Sequence, residues 1–381
     1  MEVYLDNSST TKMFDECVEK MSAAMRESYG NPSSLHRKGI EAEKLIKFAK
    51  ETISESLRVS PNEIFFTSGG TEADNFAIRG TVKANRGKHI LTTAVEHPAV
   101  LSTLEYLSER GYKVEKIPVK KDGIIDIDAY SKMVRPDTVL VTAMLVNNET
   151  GALMPVALMS KILKSKNPNG IFHIDAVQAY GKFPFTAAKT GADLISLSSH
   201  KIHGPKGVGA LYIKNKTKIA PIIFGGGQQN NLRPGTENVH GIYGFGLASA
   251  LSHKNIMEKE EKMRVLLTRL KEGIERNISD IKINTPKDCA PHILNVSFGG
   301  TKSEVLLHSL ETLGVYVSSG SACSSHKKGP SYVLSSMGVD RKLIDGTLRF
   351  SLSEFTTAED IDYALECLIK VVHQNRALMR K

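Results

Sequence analysis

Ile171-Phe-His-Ile-Asp-Ala-Val-Gln178 and Leu194-Ile-Ser-Leu-Ser-Ser-His-Lys-Ile-His-Gly-Pro-Lys-Gly207 decide how this chain folds. Each opens with a short apolar run that reads as a buried strand and closes on a polar cluster. Residues 64–67, 89–93, 138–142 and 209–213 are runs of the same kind. Helix candidates separate them. In residues 34–57, Ala42, Leu45, Ile46, Ala49, Ile53 and Leu57 recur with a 3.6-residue period. Strands alternating with helices predict an α/β fold, a mostly parallel sheet covered by helices. Near residue 255 the scale changes. Residues 254–276 form a charged amphipathic helix candidate, followed by strands at 292–298, 315–318 and 347–352 and helices around 303–313 and 357–373. This predicts a large domain over 13–254 and a smaller α+β domain made of 1–12 and 255–381.

Composition sets the outer bounds. The chain has 381 residues, with 41% hydrophobic and 24% charged, which excludes a disordered, collagenous or coiled-coil protein. Lys+Arg 50 against Asp+Glu 41 gives +9, a balance that suits contact with nucleic acid or acidic proteins but also plain solubility. The four cysteines, Cys17, Cys289, Cys323 and Cys367, are far apart and include no C-x-x-C pair. They form neither a disulfide framework nor a zinc cluster, so no metal is expected, and a reducing compartment suits them. No signal-peptide pattern and no apolar run of membrane-spanning length are evident. The expectation is a cytoplasmic protein.

In open α/β sheets, ligands bind beyond the carboxyl ends of the strands, so the chemistry is sought there. After the first strand, Ser68-Gly-Gly-Thr-Glu-Ala-Asp-Asn75 reads as a phosphate site at a helix N-terminus or as an ordinary capped turn. Neither a Walker A nor a G-x-G-x-x-G pattern occurs. Glu96-His97-Pro98 puts an imidazole at a strand end, and Asn147-Asn-Glu-Thr-Gly151 forms a turn rich in amides. Asp175 follows an apolar strand, where a carboxylate needs a cation or protonated nitrogen as partner. Lys201 closes the next strand, where it reads either as a surface lysine or as a partly desolvated amine able to form a Schiff base. Together, an Asp and a Lys at the ends of successive strands are the anchors that pyridoxal phosphate requires. The lysine binds the aldehyde, and the carboxylate keeps the ring nitrogen protonated. In the second domain, Cys323 sits in a Gly/Ser-rich loop beside His326-Lys-Lys328, which favours thiolate, whereas Cys17, Cys289 and Cys367 read as inert. Arg349, within an apolar strand, needs a carboxylate. A substrate carboxylate would serve, and so would an acid of its own domain.

These segments resemble the cysteine desulfurases of the class V aminotransferase group, fold-type I pyridoxal-phosphate enzymes. The resemblance runs from Tyr4-Leu-Asp-Asn-Ser-Ser-Thr-Thr11 through Gly30-Asn-Pro-Ser-Ser-Leu-His36 to Phe355-Thr-Thr-Ala-Glu-Asp-Ile361. Between these lie Thr67-Ser-Gly-Gly-Thr-Glu72, Val146-Asn-Asn-Glu-Thr-Gly151, Ser199-His-Lys-Ile-His-Gly-Pro-Lys-Gly207, Arg233-Pro-Gly-Thr-Glu-Asn238 and Ser319-Gly-Ser-Ala-Cys323, in the family's order and spacing. It implies that Lys201 is the Schiff-base lysine, that Asp175 pairs with the ring nitrogen, and that Gln178 contacts the ring hydroxyl. His97 would stack on the ring and move protons. Gly70, Thr71, Ser198 and His200 would hold the phosphate, with Thr236 contributed by the other subunit of a homodimer. Asn148 and Arg349 would bind the carboxylate of L-cysteine, and Cys323 would take its sulfur as a persulfide. An iron–sulfur scaffold or a tRNA-thiolating enzyme would then accept that sulfur. Neither a membrane nor direct nucleic-acid contact is implied. The spacing from Cys323 to Pro330-Ser-Tyr-Val-Leu334 matches the long-loop subgroup. Three features depart from the family pattern: Gly70 where relatives often carry Ala, the basic stretch 326–328, and a chain ending soon after its last helix. Alternatives are a selenocysteine lyase at the same site, or a non-catalytic basic scaffold or RNA-binding protein on the same fold.

Overall fold

The computed structural model describes residues 1–320 and 329–379. The chain opens with strand β1 (Val3–Tyr4) and helices α1 (Asp15–Glu27) and α2 (Arg37–Leu57). Strands and helices then alternate as β2 (Ile64–Thr67), α3 (Gly70–Ala84), β3 (His89–Thr93), α4 (Pro98–Ser108), β4 (Lys113–Ile117) and α5 (Ile127–Met133). The alternation continues through β5 (Thr138–Met144), α6 (Val156–Lys166), β6 (Ile171–Asp175), α7 (Ala187–Thr190), β7 (Leu194–Ser198) and β8 (Gly209–Ile213). Helices α8 (Val239–His253) and α9 (Ile256–Asn277) lead to β9 (Ile281–Ile283), β10 (Ile293–Phe298), α10 (Ser303–Glu311) and β11 (Val315–Tyr316). The last elements are α11 (Tyr332–Ser336), α12 (Arg341–Ile344), β12 (Thr347–Ser351) and α13 (Ala358–Met379).

The main sheet has the order β2-β8-β7-β6-β5-β3-β4. Only β8 runs antiparallel to its neighbours; the other pairs are parallel, as the strand–helix alternation predicts. Its central strands are buried along their whole length because helices cover both faces. Successive side chains alternate between faces. Val141, Phe172, Ile174, Ile195 and Leu197 join the core under α2 and α8, while Leu140, Ile171 and Leu194 join the core under α3 and α4. Towards the carboxyl ends, the second face turns polar. Thr142, His173, Asp175, Ser196 and Ser198 continue that row, and all are buried. This polar stripe on an otherwise apolar face is where the fold departs from simple packing.

A second apolar core gathers Leu266 and Leu270 of α9, Val296 of β10, Leu348 of β12 and Leu368 of α13, together with Val3 and Leu5. Its sheet is the antiparallel set β12-β10-β9, and β1 pairs in parallel with β11. The first residues therefore pack with the C-terminal part of the chain. Val333, Leu334, Met337 and Ile344, by contrast, are buried in the core of the large sheet.

Candidate active site

The site forms at the carboxyl ends of β5, β6 and β7, around a cavity of about 180 Å³. Ten predicted residues line it: Gly70, Thr71, His97, Asn148, Asp175, Gln178, Ser198, His200, Lys201 and Arg349. Thr236, expected to act across a subunit boundary, is exposed in the loop before α8 and does not line this cavity. Cys323 and the basic stretch 326–328 lie outside the described residues. Ser8, Ser9 and Asp74 also line the cavity, and no role for them follows from the sequence. A larger cavity of about 590 Å³, between α4 and residues 329–332, contains none of the candidate residues.

Asp175 is the last residue of β6. Its Oδ1 accepts the Val177 N–H at 2.9 Å. Burial pushes its carboxyl up to about 6, against the opposing pull of that hydrogen bond and of Lys201. Lys201 ends the short 3₁₀ turn after β7 and donates from Nζ to Ser8 O at 2.5 Å and Ser9 O at 2.6 Å. Gln178 Nε2 also donates to Ser8 O, at 2.9 Å. The N-terminal segment thus supplies backbone acceptors to a site whose side chains come from the large sheet. Reading side chains alone misses such groups.

His97 caps α4. Its Nδ1 accepts the Ala99 N–H at 3.1 Å, which places the proton of the neutral ring on Nε2. Burial, then the Lys201 charge, pushes it down to about 4, so the ring is neutral at physiological pH. Beside it, Glu96 is fully buried. Thr93 Oγ1 donates to its Oε1 at 2.5 Å and Met144 N–H at 3.0 Å, yet burial still raises the carboxyl to about 8.

The N-terminus of α3 forms a second, adjoining hollow of about 370 Å³, lined by Thr10, Ser68, Gly69, Thr71, Ser198 and His200 among others. Gly69 caps α3 at φ +155°, ψ −178°, a conformation essentially closed to other residues. Gly209 on β8 passes so close that a Cβ there would lie 2.6 Å from the Gly69 carbonyl carbon. At Gly70, a Cβ would meet Val177 Cγ2 at 2.9 Å, so an alanine there would require Val177 to shift. Glu72, in the first turn, holds Arg233 in a two-point contact at 2.8 and 3.1 Å. That contact ties the 233–238 loop to the start of α3.

Arg349 already has a protein carboxylate from its own domain, one of the two partners the sequence left open for it. Its Nη2 donates to Asp6 Oδ1 at 2.7 Å and to Ser9 Oγ at 3.2 Å, and its Nη1 donates to Asn148 O at 2.9 Å. A guanidinium that is 2% exposed requires such compensation. The Asn148 contact uses the backbone carbonyl, so Asn148 Oδ1 remains buried without a partner, as does Arg349 Nε. Cys17 and Cys289 are buried with thiols pushed up by burial, Cys17 to about 12, and Cys367 is also buried.

Buried imidazoles make stability depend on pH. Burial lowers His173 and His203 to about 3 and His200 to about 4, against an ordinary value of ~6.5. The folded chain keeps these rings neutral, whereas the unfolded chain protonates them as pH falls below ~6.5. Asp74, Glu96, Glu149 and Asp175, with raised values, oppose this trend, but they are outnumbered by His89, His97, His173, His200, His203, His253 and His292, all lowered. The cofactor-free protein should therefore lose stability between pH 6.5 and 4, measured as a falling urea midpoint. A midpoint that rises over that interval would contradict this count.

The aminotransferase class-V family model matches residues 3–364. Cysteine desulfurase IscS of Clostridium botulinum (strain Hall) is 44% identical over 382 aligned residues, covering 99% of this chain and 96% of the relative. A solved NifS-like protein superposes with a TM-score of 0.92 at 40% identity, covering 98% of this chain and all of that one. A structure described as SspA in complex with cysteine superposes with a TM-score of 0.82 at 30% identity, covering 93% of this chain and all of that one. Full-length agreement in sequence and fold, around a site whose lysine and aspartate end adjacent strands, places this chain in the class-V aminotransferase family.

Proposed function

We propose that this cavity desulfurates L-cysteine to L-alanine, with Lys201, Asp175, His97 and Arg349 in the roles their positions permit and Cys323 as the sulfur acceptor. The chain is a pyridoxal-phosphate-dependent cysteine desulfurase. The observation that carries the residue assignment is the convergence of Lys201 and Asp175 at the ends of β7 and β6, beside the N-terminus of α3.

The residues fit the cofactor. Ser198 Oγ is buried without a partner beside the hollow at the α3 N-terminus, which suits a phosphate. Ser198, Thr71, Gly70 and His200 would hold that phosphate, with Thr236 from the partner subunit of a homodimer. Asp175 would pair with the ring nitrogen, Gln178 would meet the ring hydroxyl, and Lys201 would hold the aldehyde carbon. When bound, the cofactor supplies an electron sink for the substrate's Cα. The large body, 13–254, would bind it, and the smaller one, 1–12 with 255–381, would carry Cys323 and Arg349.

Arg349, fixed by Asp6 and the Asn148 carbonyl, orients the cysteine carboxylate with the help of Asn148. Lys201 would carry the Cα proton, and neutral His97 would accept or return a proton through its imidazole. The Cys323 thiolate attacks the substrate sulfur. The Cβ–S bond breaks as an S–S bond forms, so cysteine plus thiol becomes alanine plus persulfide with no external oxidant. The persulfide then passes to an iron–sulfur scaffold or a tRNA-thiolating enzyme. Among the described residues no helix is long and apolar enough to cross a membrane.

Cys323→Ala tests the sulfur step. Loaded with cofactor, the variant should release alanine from cysteine at least ~100-fold more slowly, because the attacking nucleophile is gone. It should also carry no label after incubation with ³⁵S-cysteine. Wild-type alanine release from this variant would remove Cys323 from the mechanism.

A further inference from the structure

The polar stripe beneath the cavity contains a second carboxyl that the desulfurase roles leave unused. Asp74, on α3, is 1% exposed and lines the same cavity as Asp175. Its Oδ1 has no hydrogen-bond partner and lies 3.7 Å from His173 Nε2. The Ser196 hydroxyl is 2.9 Å from that same nitrogen and borders the Asp74 carboxyl. On its far side, His173 Nδ1 is 2.8 Å from Thr142 Oγ1. Asp74, Ser196, His173 and Thr142 therefore form one buried chain across α3, β7, β6 and β5.

Two buried carboxyls that line one cavity of about 180 Å³ do not both ionise. The groups facing Asp74 decide which one keeps the proton. Asp175 and Glu96 approach it as acids, and His173 approaches as a base whose two nitrogens are both engaged by hydroxyls. Burial holds that imidazole neutral. Asp175, by contrast, has the Val177 N–H and faces Lys201. The charge belongs on Asp175, and burial and the Asp175 charge both raise the Asp74 carboxyl well above the ordinary range. With Asp74 neutral, the donors of Asp74, Ser196 and His173 each find an acceptor along the chain. The Asp74 O–H donates to Ser196 Oγ, the Ser196 O–H to His173 Nε2, and the His173 Nδ1–H to Thr142 Oγ1.

We propose that Asp74 is a positioning residue for Asp175: as a neutral acid heading the chain through Ser196, His173 and Thr142, it confines the negative charge of the buried pair to Asp175. The role rests on the assignment of Asp175 to the cofactor's ring nitrogen. An ionised Asp74 would divide the field at that nitrogen, and an apolar residue there would strip Asp175 of polar surroundings.

Infrared difference spectroscopy tests this on the holoenzyme. At neutral pH, wild type minus Asp74→Asn should show the carbonyl band of a protonated carboxylic acid; a carboxylate band in its place overturns the proposal. Asp74→Leu should move the pH midpoint of the visible cofactor band downward, since the charge on Asp175 is then less well supported, and Asp74→Asn should restore it. A midpoint displaced equally by both substitutions refutes the positioning role. Should the leucine variant not fold, Ser196→Ala replaces it. That change removes the acceptor of the Asp74 O–H and should shift the infrared band to higher frequency, and an unshifted band counts against the chain. A purified chain without any visible cofactor band would instead refute the cofactor assignment, while the infrared band of that same protein still decides the protonation of Asp74.

Discussion

Lys201→Ala should lower kcat for alanine release from L-cysteine by at least about 10⁴-fold, and Lys201→Arg should lower it equally. The two variants separate chemistry from architecture. In the wild type, Nζ donates to the Ser8 and Ser9 carbonyls, so the lysine also ties the N-terminal segment to the end of β7. Alanine removes both functions and takes the lysine donor from both carbonyls, leaving Ser8 O with Gln178 Nε2 alone, at a cost of about 1–3 kcal/mol in stability. Arginine can keep a donor there, but it stays protonated at every accessible pH and cannot become a nucleophilic amine. Measured together, kcat, the visible cofactor band and the thermal midpoint should diverge. Both variants lose turnover and the band of the lysine-bound cofactor, while arginine keeps more of the thermal stability. An arginine variant that turned over cysteine at a tenth of the wild-type rate would show that Lys201 acts only as a charge.

Lys201 was legible in the sequence for the same reason that it is effective. A charged residue close behind a buried, largely apolar strand is energetically conspicuous, and so is Asp175 at the end of the strand before it. The central strands were legible as well, because burial on both faces leaves continuous apolar runs. The edge strand β4, Lys113-Val-Glu-Lys-Ile117, was not. Its charges serve an exposed edge, where Glu115 meets Lys113 and His89, so it lacks the apolar signature. Asp74 was hidden differently. In Thr71-Glu-Ala-Asp-Asn75 it looks like another polar residue of a helix start, and only the packing of α3 on the sheet turns it inward. The Arg349–Asp6 pair joins residues 343 apart, a contact that no local pattern encodes. The Ser8 and Ser9 carbonyls carry no side-chain signal at all. What the sequence conceals here is mostly tertiary: which polar groups face one another across elements.

Asp175→Asn should separate function from stability in opposite directions. Activity should fall by on the order of 10²–10³-fold, because an amide cannot carry the negative charge that holds the ring nitrogen protonated. Asn still offers an oxygen to the Val177 N–H, so local geometry survives. The cofactor-free variant, however, should be more stable than the cofactor-free wild type at pH 8. Burial raises Asp175 from 3.8 to about 6, so the folded state favours the protonated acid. Relative to full ionisation, that preference contributes stability that is complete below the unfolded value and is lost as pH rises through about 6. A neutral amide has no charge to bury and escapes this loss. The expected advantage at pH 8 is roughly 1–3 kcal/mol, shrinking towards zero at pH 4. Urea unfolding of both cofactor-free proteins at pH 4, 6 and 8 measures it. Adding pyridoxal phosphate should reverse the order, because its protonated ring nitrogen gives the aspartate a cation that asparagine cannot use. A gain that persisted unchanged at pH 4 would mean that packing, not ionisation, separates the two proteins. A variant equally stable at all three values would mean that Asp175 is not held against its charge, and that the buried carboxyl is balanced before any cofactor arrives.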